Sequence, residues 1–438
     1  MEKRFRRWEP GQGLLLPPSV DDFVPAEHPS RLVGDLVQVE LDLSAILDAY
    51  QGTRGQPPYH PVMMTALLLY AYSVGVYSSR KIARSCQERV DFMVVTALEK
   101  PDFRTVNDFR KRHLGALEDL FGQVLRLCDR AGLVKLGHVA FDGTKVQANA
   151  SKHKAMSYER MCAEEKRIKG IVSEWLRRAE EADAEEDECY GADKSGDEMP
   201  EWMKSKAKRL AKIREAKAAL EREAQEEAER FKDLPAKTIP PAKREVKKGG
   251  KPPASAQRNF TDPDSRIMRD RGAYMQGYNC QAAVDSRAQV IVARGVVAAQ
   301  QDQQELIGML DQVRSNLGRQ AREVSADAGY CNEGNLRELC RRRIRGFVAT
   351  GKHKHSQSGP VSGRRWQGRF TRAMAERIAR GGRRTRYRLR KQVIEPVFGQ
   401  IKECMGFRRF LLRGIEKVRG EWSLVCTAHN LRKLLRAA

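Results

Sequence analysis

Apolar residues recur at three- and four-residue spacing through PVMMTALLLYAYSVGVYSSRKIARSCQE, Pro61 to Glu88, and predict helices. Gly75 and Ser78-Ser79 interrupt the run as a break followed by an N-cap. A further start lies in PDFRTVNDFRKRH, where Thr105 is expected to cap a long helix reaching Leu127. Residues 61–135 therefore read as all-helical. Two uses fit such a region: a helix-turn-helix that binds DNA, or a bundle used for dimerisation.

The pattern changes at Gly137. HVAFDGTKVQANAS predicts a short strand, His138 to Phe141, with Asp142 at its end. AYMQGYNCQAAVD (273–285) and AQVIVARGVVAA (288–299) are alternating and β-branched, and Ser286-Arg287 between them predicts a hairpin. A helix from Gln303 to Leu317 follows, then a strand ending at Asp327, a helix over NEGNLRELCRR and a strand over IRGFVAT. From Ile394 on the pattern is helical again. This order predicts an α/β fold, a mixed sheet flanked by helices.

Between the first strand and the hairpin, residues 152–256 are rich in Lys, Glu, Arg and Ala, with an acidic patch from Ala179 to Glu188. So few apolar residues predict charged helices that project from the domain rather than an independent core. KKGGKPPASAQ, which ends the segment, reads as a flexible linker. The expected organisation is an N-terminal arm (1–60), a helical domain (61–135), and a sheet domain split into 136–151 and 257–412. The 152–256 insertion and a C-terminal helix (413–438) complete it.

Charge narrows the choice of partner. The 438 residues hold 81 Lys and Arg against 57 Asp and Glu, a formal net charge of +24. Such an excess points to a polyanion, nucleic acid or an acidic membrane surface. The most apolar run, Val62 to Val76, falls short of the roughly 18 residues a span needs and contains Thr, Ser and Gly, so a membrane is the weaker alternative. No apolar stretch follows the charged N-terminus, so a signal peptide is not expected. Nine cysteines without a CxxC pair fit neither a disulfide framework nor a cysteine zinc site, and place the protein in a reducing, cytoplasmic setting.

Against this charge three acids stand out. Asp142 and Asp327 each end an apolar strand and precede a small residue, in FDGT and ADAG. That edge of an open α/β sheet collects ligands and catalytic groups, although strand-end Asp residues also form turns. Glu395 sits in the basic run RYRLRKQVIEPVFGQIK, and Pro396 after it predicts a helix start or kink there. Three hard oxygen ligands suit Mg²⁺ or Mn²⁺, and a pair of such ions serves phosphodiester chemistry. Other charged positions read more plainly. His353 and His355 form a basic loop rather than a metal site, Asp302 and Asp311 are solvated, and Asp262 and Asp264 are turn and capping residues. Trp366 and Phe370 among Arg364, Arg365, Arg369 and Arg372 either stack on bases or pack the sheet edge.

As a set these segments resemble the DDE transposases of bacterial insertion sequences, from about Pro61 to the C-terminus. The carriers are FRTVNDFRKRH, AFDGTKVQANAS, TDPDSR with GYNCQAAVD, SADAGY and IEPVFGQIK. The resemblance implies an RNase H-like catalytic core, with Asp142, Asp327 and Glu395 as catalytic metal ligands for two Mg²⁺ or Mn²⁺ ions. It also implies binding to the element's terminal inverted repeats and to target DNA, by a homodimer or larger homo-oligomer. The family's Lys or Arg seven residues past the Glu is Lys402 here. Its Arg and Tyr positions before the Glu hold Lys391 and Arg388, with Tyr387 one residue off. These residues, with Arg364, Arg365, Trp366 and Arg369, are the expected DNA contacts. Two other functions fit the same residues: a non-catalytic repressor derived from a transposase, and a metal-dependent nuclease without strand transfer.

Overall fold

The computed structural model describes residues 19–50, 57–190, 201–232, 246, 249–270, 272–298, 302–351, 368–381 and 386–437. Its centre is one sheet. Strand β1 (His138–Gln147) is followed in the chain by the short β2 (Ala155–Ser157) and β3 (Gln257–Asn259), then β4 (Arg266–Asp270) and β5 (Ala273–Asp285). The series ends with β6 (Ile291–Val297), β7 (Glu323–Ala326) and β8 (Arg345–Val348). β5 pairs antiparallel with β1 along one edge. Along its other edge it pairs with β4 over its first half and with β6 over its second. β7 then lies parallel to β1, and β8 parallel to β7. Four strands in antiparallel pairing (β4 and β6 beside β5, then β1), extended by two parallel ones, with helices on the faces, make the RNase H-like core.

The sheet does not stand apart from the N-terminal helices. One apolar cluster runs from Val33 through the helices Pro61–Ser73 and Leu114–Arg130, across the sheet, and into the last helix, Ile415–Leu435. Pro61–Ser73 is buried on nearly every side, which suits a central packing element and not an exposed recognition helix. The long helix expected from Thr105 is two helices, Phe103–Arg112 and Leu114–Arg130, broken at His113. Asp102, not Thr105, caps the first, its carboxylate accepting the backbone N–H groups of Arg104 and Thr105.

The last helix is held from several sides. Asp264 accepts the N–H of Ile415, and the buried Asp262 accepts both the Tyr278 hydroxyl at 2.7 Å and the N–H of Gly414 at 3.1 Å. The TDPDSR motif thus clamps this helix's N-terminus, the capping role expected of it. Glu421, one turn further, is fully buried and takes the N–H groups of Leu411 and Leu412. Burial pushes its carboxyl up to about 7, against the pull of those donors and of Arg110. A carboxyl whose pKa rises on folding stabilises the fold fully below its unfolded value near 4.5 and loses that contribution as pH rises through about 7. Glu421→Gln keeps the acceptor oxygen and removes the titration. Calorimetric melting is expected to show the wild type losing roughly 3 kcal/mol more than Glu421→Gln between pH 5 and pH 8. Parallel pH profiles would assign the titration elsewhere.

The charged segment forms two long helices, Tyr158–Tyr190 and Glu201–Arg230. Where the composition predicted almost no apolar packing, Met161, Ile168, Ile213, Ala216 and Leu220 make a small cluster separate from the main core. Glu165 binds Lys217 and Arg214 across the pair. At its base, β2 and β3 form a two-stranded ladder, and Arg258 and Arg266 reach Glu223.

Candidate active site

The register of two strands brings the first two acids together. The parallel pairing of β1 and β7 ends at Phe141 opposite Ala326, so the next residues, Asp142 and Asp327, stand side by side one strand spacing apart, about 4.8 Å. Asp327 lies just past its strand, as expected. There it opens a short 3₁₀ turn, Ala328–Tyr330, and its Oδ1 accepts the N–H of Gly329 at 2.8 Å. Asp142 does not end a strand: β1 continues to Gln147, because Gly143–Gln147 pairs with β5. The turn that the FDGT sequence suggests is overridden by this long-range partner.

Between the two acids and Glu395 lies a residue that sequence reasoning passed over. Arg390, near the start of the helix Leu389–Gly399, donates through Nη1 to Asp142 Oδ2. Both side chains are largely buried, Arg390 at 10% exposure and Asp142 at 17%. Desolvation opposes the charge on Arg390, yet Asp142, Tyr387, Asp327 and Glu395 together raise its pKa. Its Nε is buried with no partner among the described residues. Asp142 is pushed up to about 7, first by burial, with Arg390 pulling it down and Asp327 and Asp302 pushing it up. The site therefore holds more negative charge than one guanidinium balances.

Asp302 is the second omission. It precedes the helix Glu305–Leu317 rather than lying within it, and it is half-buried rather than solvated. Its Oδ1 accepts the side-chain amides of Asn279 at 2.6 Å and Gln281 at 2.5 Å, and Gln281 in turn accepts the Tyr330 hydroxyl. Burial raises its pKa, against those two donors. A Cβ built on Gly143 would meet Asp302 Oδ1 at 3.0 Å, and one built on Gly329 would meet Oδ2 at 2.9 Å. The glycines after Asp142 and Asp327 therefore leave room for this one carboxylate. Asp311, the other acid read as solvated, is exposed and pairs with Arg342.

Glu395 is exposed and lies inside the helix Leu389–Gly399, not at its start, with Pro396 following within the same helix and a π-helical turn, Gln400–Cys404, beyond it. It belongs to the field around Arg390 without touching Asp142 or Asp327. Among the described residues, no three Asp, Glu, His or Cys side chains are gathered closely enough to hold an ion as they stand.

The basic residues divide. Arg388 and Lys391 are exposed, whereas Tyr387 packs with its ring 5.9 Å from the Arg390 Cζ. Tyr387 and Arg390 keep the three-residue spacing of the family's Tyr and Arg, both displaced by one from Glu395; counting back from the Glu alone selects Lys391 and Arg388. Lys402 points to β1, its Nζ donating to the Lys145 carbonyl at 2.8 Å, rather than standing free on an outer face. Arg369 is exposed at the head of the helix Arg369–Gly381, and Phe370 packs against the core. Arg364, Arg365, Trp366, His353 and His355 lie outside the described residues.

An RNase H-like sheet with two adjacent aspartates just past the last parallel pair of its central strands defines a class of polynucleotide-cleaving enzymes. Residues 18–112 match a family model described as a transposase domain, and residues 306–435 match one described as a transposase DDE domain. The chain belongs to the DDE transposases. Asp327 and Glu395 fall within the second match, while Asp142 and the charged helices lie between the two. No curated protein and no solved structure matches the chain. DNA binding and dependence on a divalent metal are general to this family. No helix among the described residues is long and apolar enough to cross a membrane.

Proposed function

We propose that this transposase cleaves the ends of its element and joins the freed 3′-OH to target DNA, with Asp142, Asp327 and Glu395 as its metal-binding carboxylates. The observation that carries this reading is the side-by-side register of Asp142 and Asp327 with Arg390 against them. A guanidinium sits where these carboxylates demand positive charge, and Asp142 still has a pKa near 7. Hard oxygen donors short of positive charge fit Mg²⁺ or Mn²⁺. Two such ions, when bound, activate the attacking oxygen and stabilise the leaving one.

The chain's own residues supply the rest. Asp142 is fixed on β1 and Asp327 by its own 3₁₀ turn, so neither needs ordering when DNA arrives. Glu395 shares a helix with Arg390, so any shift of that helix changes the arginine and the glutamate together. Arg388, Arg390 and Lys391 offer positive charge to a phosphate beside the carboxylates, and Tyr387 holds Arg390 from its other side. Joining two element ends in one event requires two copies of the chain or more on the DNA. The split sheet domain cuts the element, and the helical region 61–135 serves DNA binding or dimerisation.

The test is incubation of the purified protein with a supercoiled plasmid carrying the element's two ends, in Mg²⁺. Excision with joining into target DNA is the expected result. Cleavage without joined products would make the chain a nuclease, and binding without cleavage would make it a repressor.

A further inference from the structure

The two charged helices, β2 and the residues just after β3 line an open recess of about 700 Å³. Its lining includes Lys154, Arg160, Lys208, Arg209 and Lys212, and no acidic side chain among the described residues. Arg209 shares its charge with Glu164, while Lys154, Lys208 and Lys212 make no ion pair among the described residues. Three exposed lysines without an ion-pair partner among the described residues, in an open recess, attract an anion of matching charge.

The recess is joined to the active site by a line of basic residues along β1. Beyond Asp142 the strand runs five residues to Gln147, about 17 Å at 3.3 Å per residue. Residues 402–413 run beside that stretch. The Gln147 N–H donates to the Arg408 carbonyl, and Gln147 accepts the Phe410 N–H. Arg409 and Arg413, both exposed, hold Asn149 through its side-chain and main-chain oxygens. The chain then passes Ser151, which Asn259 holds, and reaches Lys154, whose carbonyl accepts the Phe260 N–H in the cavity wall. With duplex DNA rising about 3.4 Å per base pair, this track covers at least about five base pairs.

The geometry points to this recess as a seat for the DNA backbone, taking phosphate at least about five base pairs from the bond cut beside Asp142. The charged helices then act as a clamp on the flank of the cleaved duplex. This inference rests on the proposed cleavage at Asp142 for its register, and on the cavity alone for its ligand.

Binding of a fluorescein-labelled duplex of 30 base pairs and arbitrary sequence is measured across a KCl series. Lys208→Ala with Lys212→Ala should flatten the plot of log affinity against log salt by about 2, near 0.9 for each lost phosphate contact. Lys169→Ala with Lys232→Ala, one on the first helix and one just past the end of the second, both outside the cavity lining, should leave the slope as in the wild type. The cavity variant should still cleave at saturating protein, which separates it from loss of a metal-binding carboxylate. A slope unchanged by the cavity substitutions, or one reduced equally by the control pair, overturns the proposal. Loss of self-association in sedimentation with the slope intact overturns it too, and gives the recess to a second copy of the chain.

Discussion

Asp327→Asn is expected to abolish DNA cleavage and joining while leaving duplex binding intact or slightly tighter. Asparagine keeps the shape of aspartate and can still accept the Gly329 N–H that sets the 3₁₀ turn, so the fold at the end of β7 should survive. What goes is one negative charge next to Asp142. Removing it relieves repulsion of incoming phosphate, and it deprives the cation site of a ligand. Cleavage should fall by roughly a thousandfold or more, the scale on which loss of a charge-stabilising group acts in a low-dielectric site. Asp302→Asn tests the neighbouring layer. Its carboxylate is held by Asn279 and Gln281 and borders both glycines, so its loss should cost about 10- to 100-fold in metal affinity, as outer-shell substitutions do. Gel-shift and plasmid-nicking assays on the two variants check both statements. An Asp327→Asn protein that failed to bind DNA would make Asp327 a structural residue.

Arg390→Ala carries the second large effect, on stability. The guanidinium and the Asp142 carboxylate are largely buried together, and removing one partner strands the other in a low dielectric. With Asp327 adjacent, Asp142 would face like charge with no cation at all. A loss of about 3 kcal/mol is expected in urea unfolding at pH 9 with chelator present, where Asp142, pushed up to about 7, is ionised beside Arg390; at pH 6 the loss should be much smaller. Mg²⁺ should restore part of it by supplying the missing charge. Asp142→Asn combined with Arg390→Ala should cost less than Arg390→Ala alone, because the stranded charge is gone. Additive effects in that cycle, with no response to Mg²⁺, would show that Arg390 contributes packing and not charge.

The sequence made the alternation of strands and helices readable wherever local pattern and tertiary partner agree. β5, β6 and β7 lie where β-branched alternation put them, as do the helices Glu305–Leu317 and Glu333–Arg341. The disagreements have one cause: partners distant in the chain. β1 extends past Asp142 because β5 continues to pair with it, and no local feature of FDGTKVQ reports that. The C-terminal helix was set apart from the sheet domain as a segment of its own (413–438), yet Trp422, Leu424, Val425 and Cys426 are buried among the N-terminal helices and the sheet.

The side-by-side placement of Asp142 and Asp327 follows from two strands that the sequence made legible, although Asp142 lies inside its strand and not at the end. Asp302 was not legible, because its burial depends on Asn279 and Gln281 of β5 reaching across to it. Arg390 was within reach. The three-residue spacing to Tyr387 survives in the sequence, but one more residue separates Arg390 from Glu395 than the family pattern allows. The basic positions of the 152–256 segment gave no warning of their convergence, since Lys154 and Lys208 are brought to one recess only by the closing of the helix pair on β2 and β3.

The central claim is that Asp142 and Asp327 hold divalent metal for DNA cleavage, with Glu395 joining them. Anomalous scattering from Mn²⁺ in crystals of the protein with duplex DNA tests it most directly. The account predicts a manganese peak about 2.1 Å from carboxylate oxygens of both Asp142 and Asp327, with Arg390 turned from Asp142 toward a phosphate. Manganese bound elsewhere on the chain, or Arg390 still seated on Asp142 with DNA in place, would contradict it.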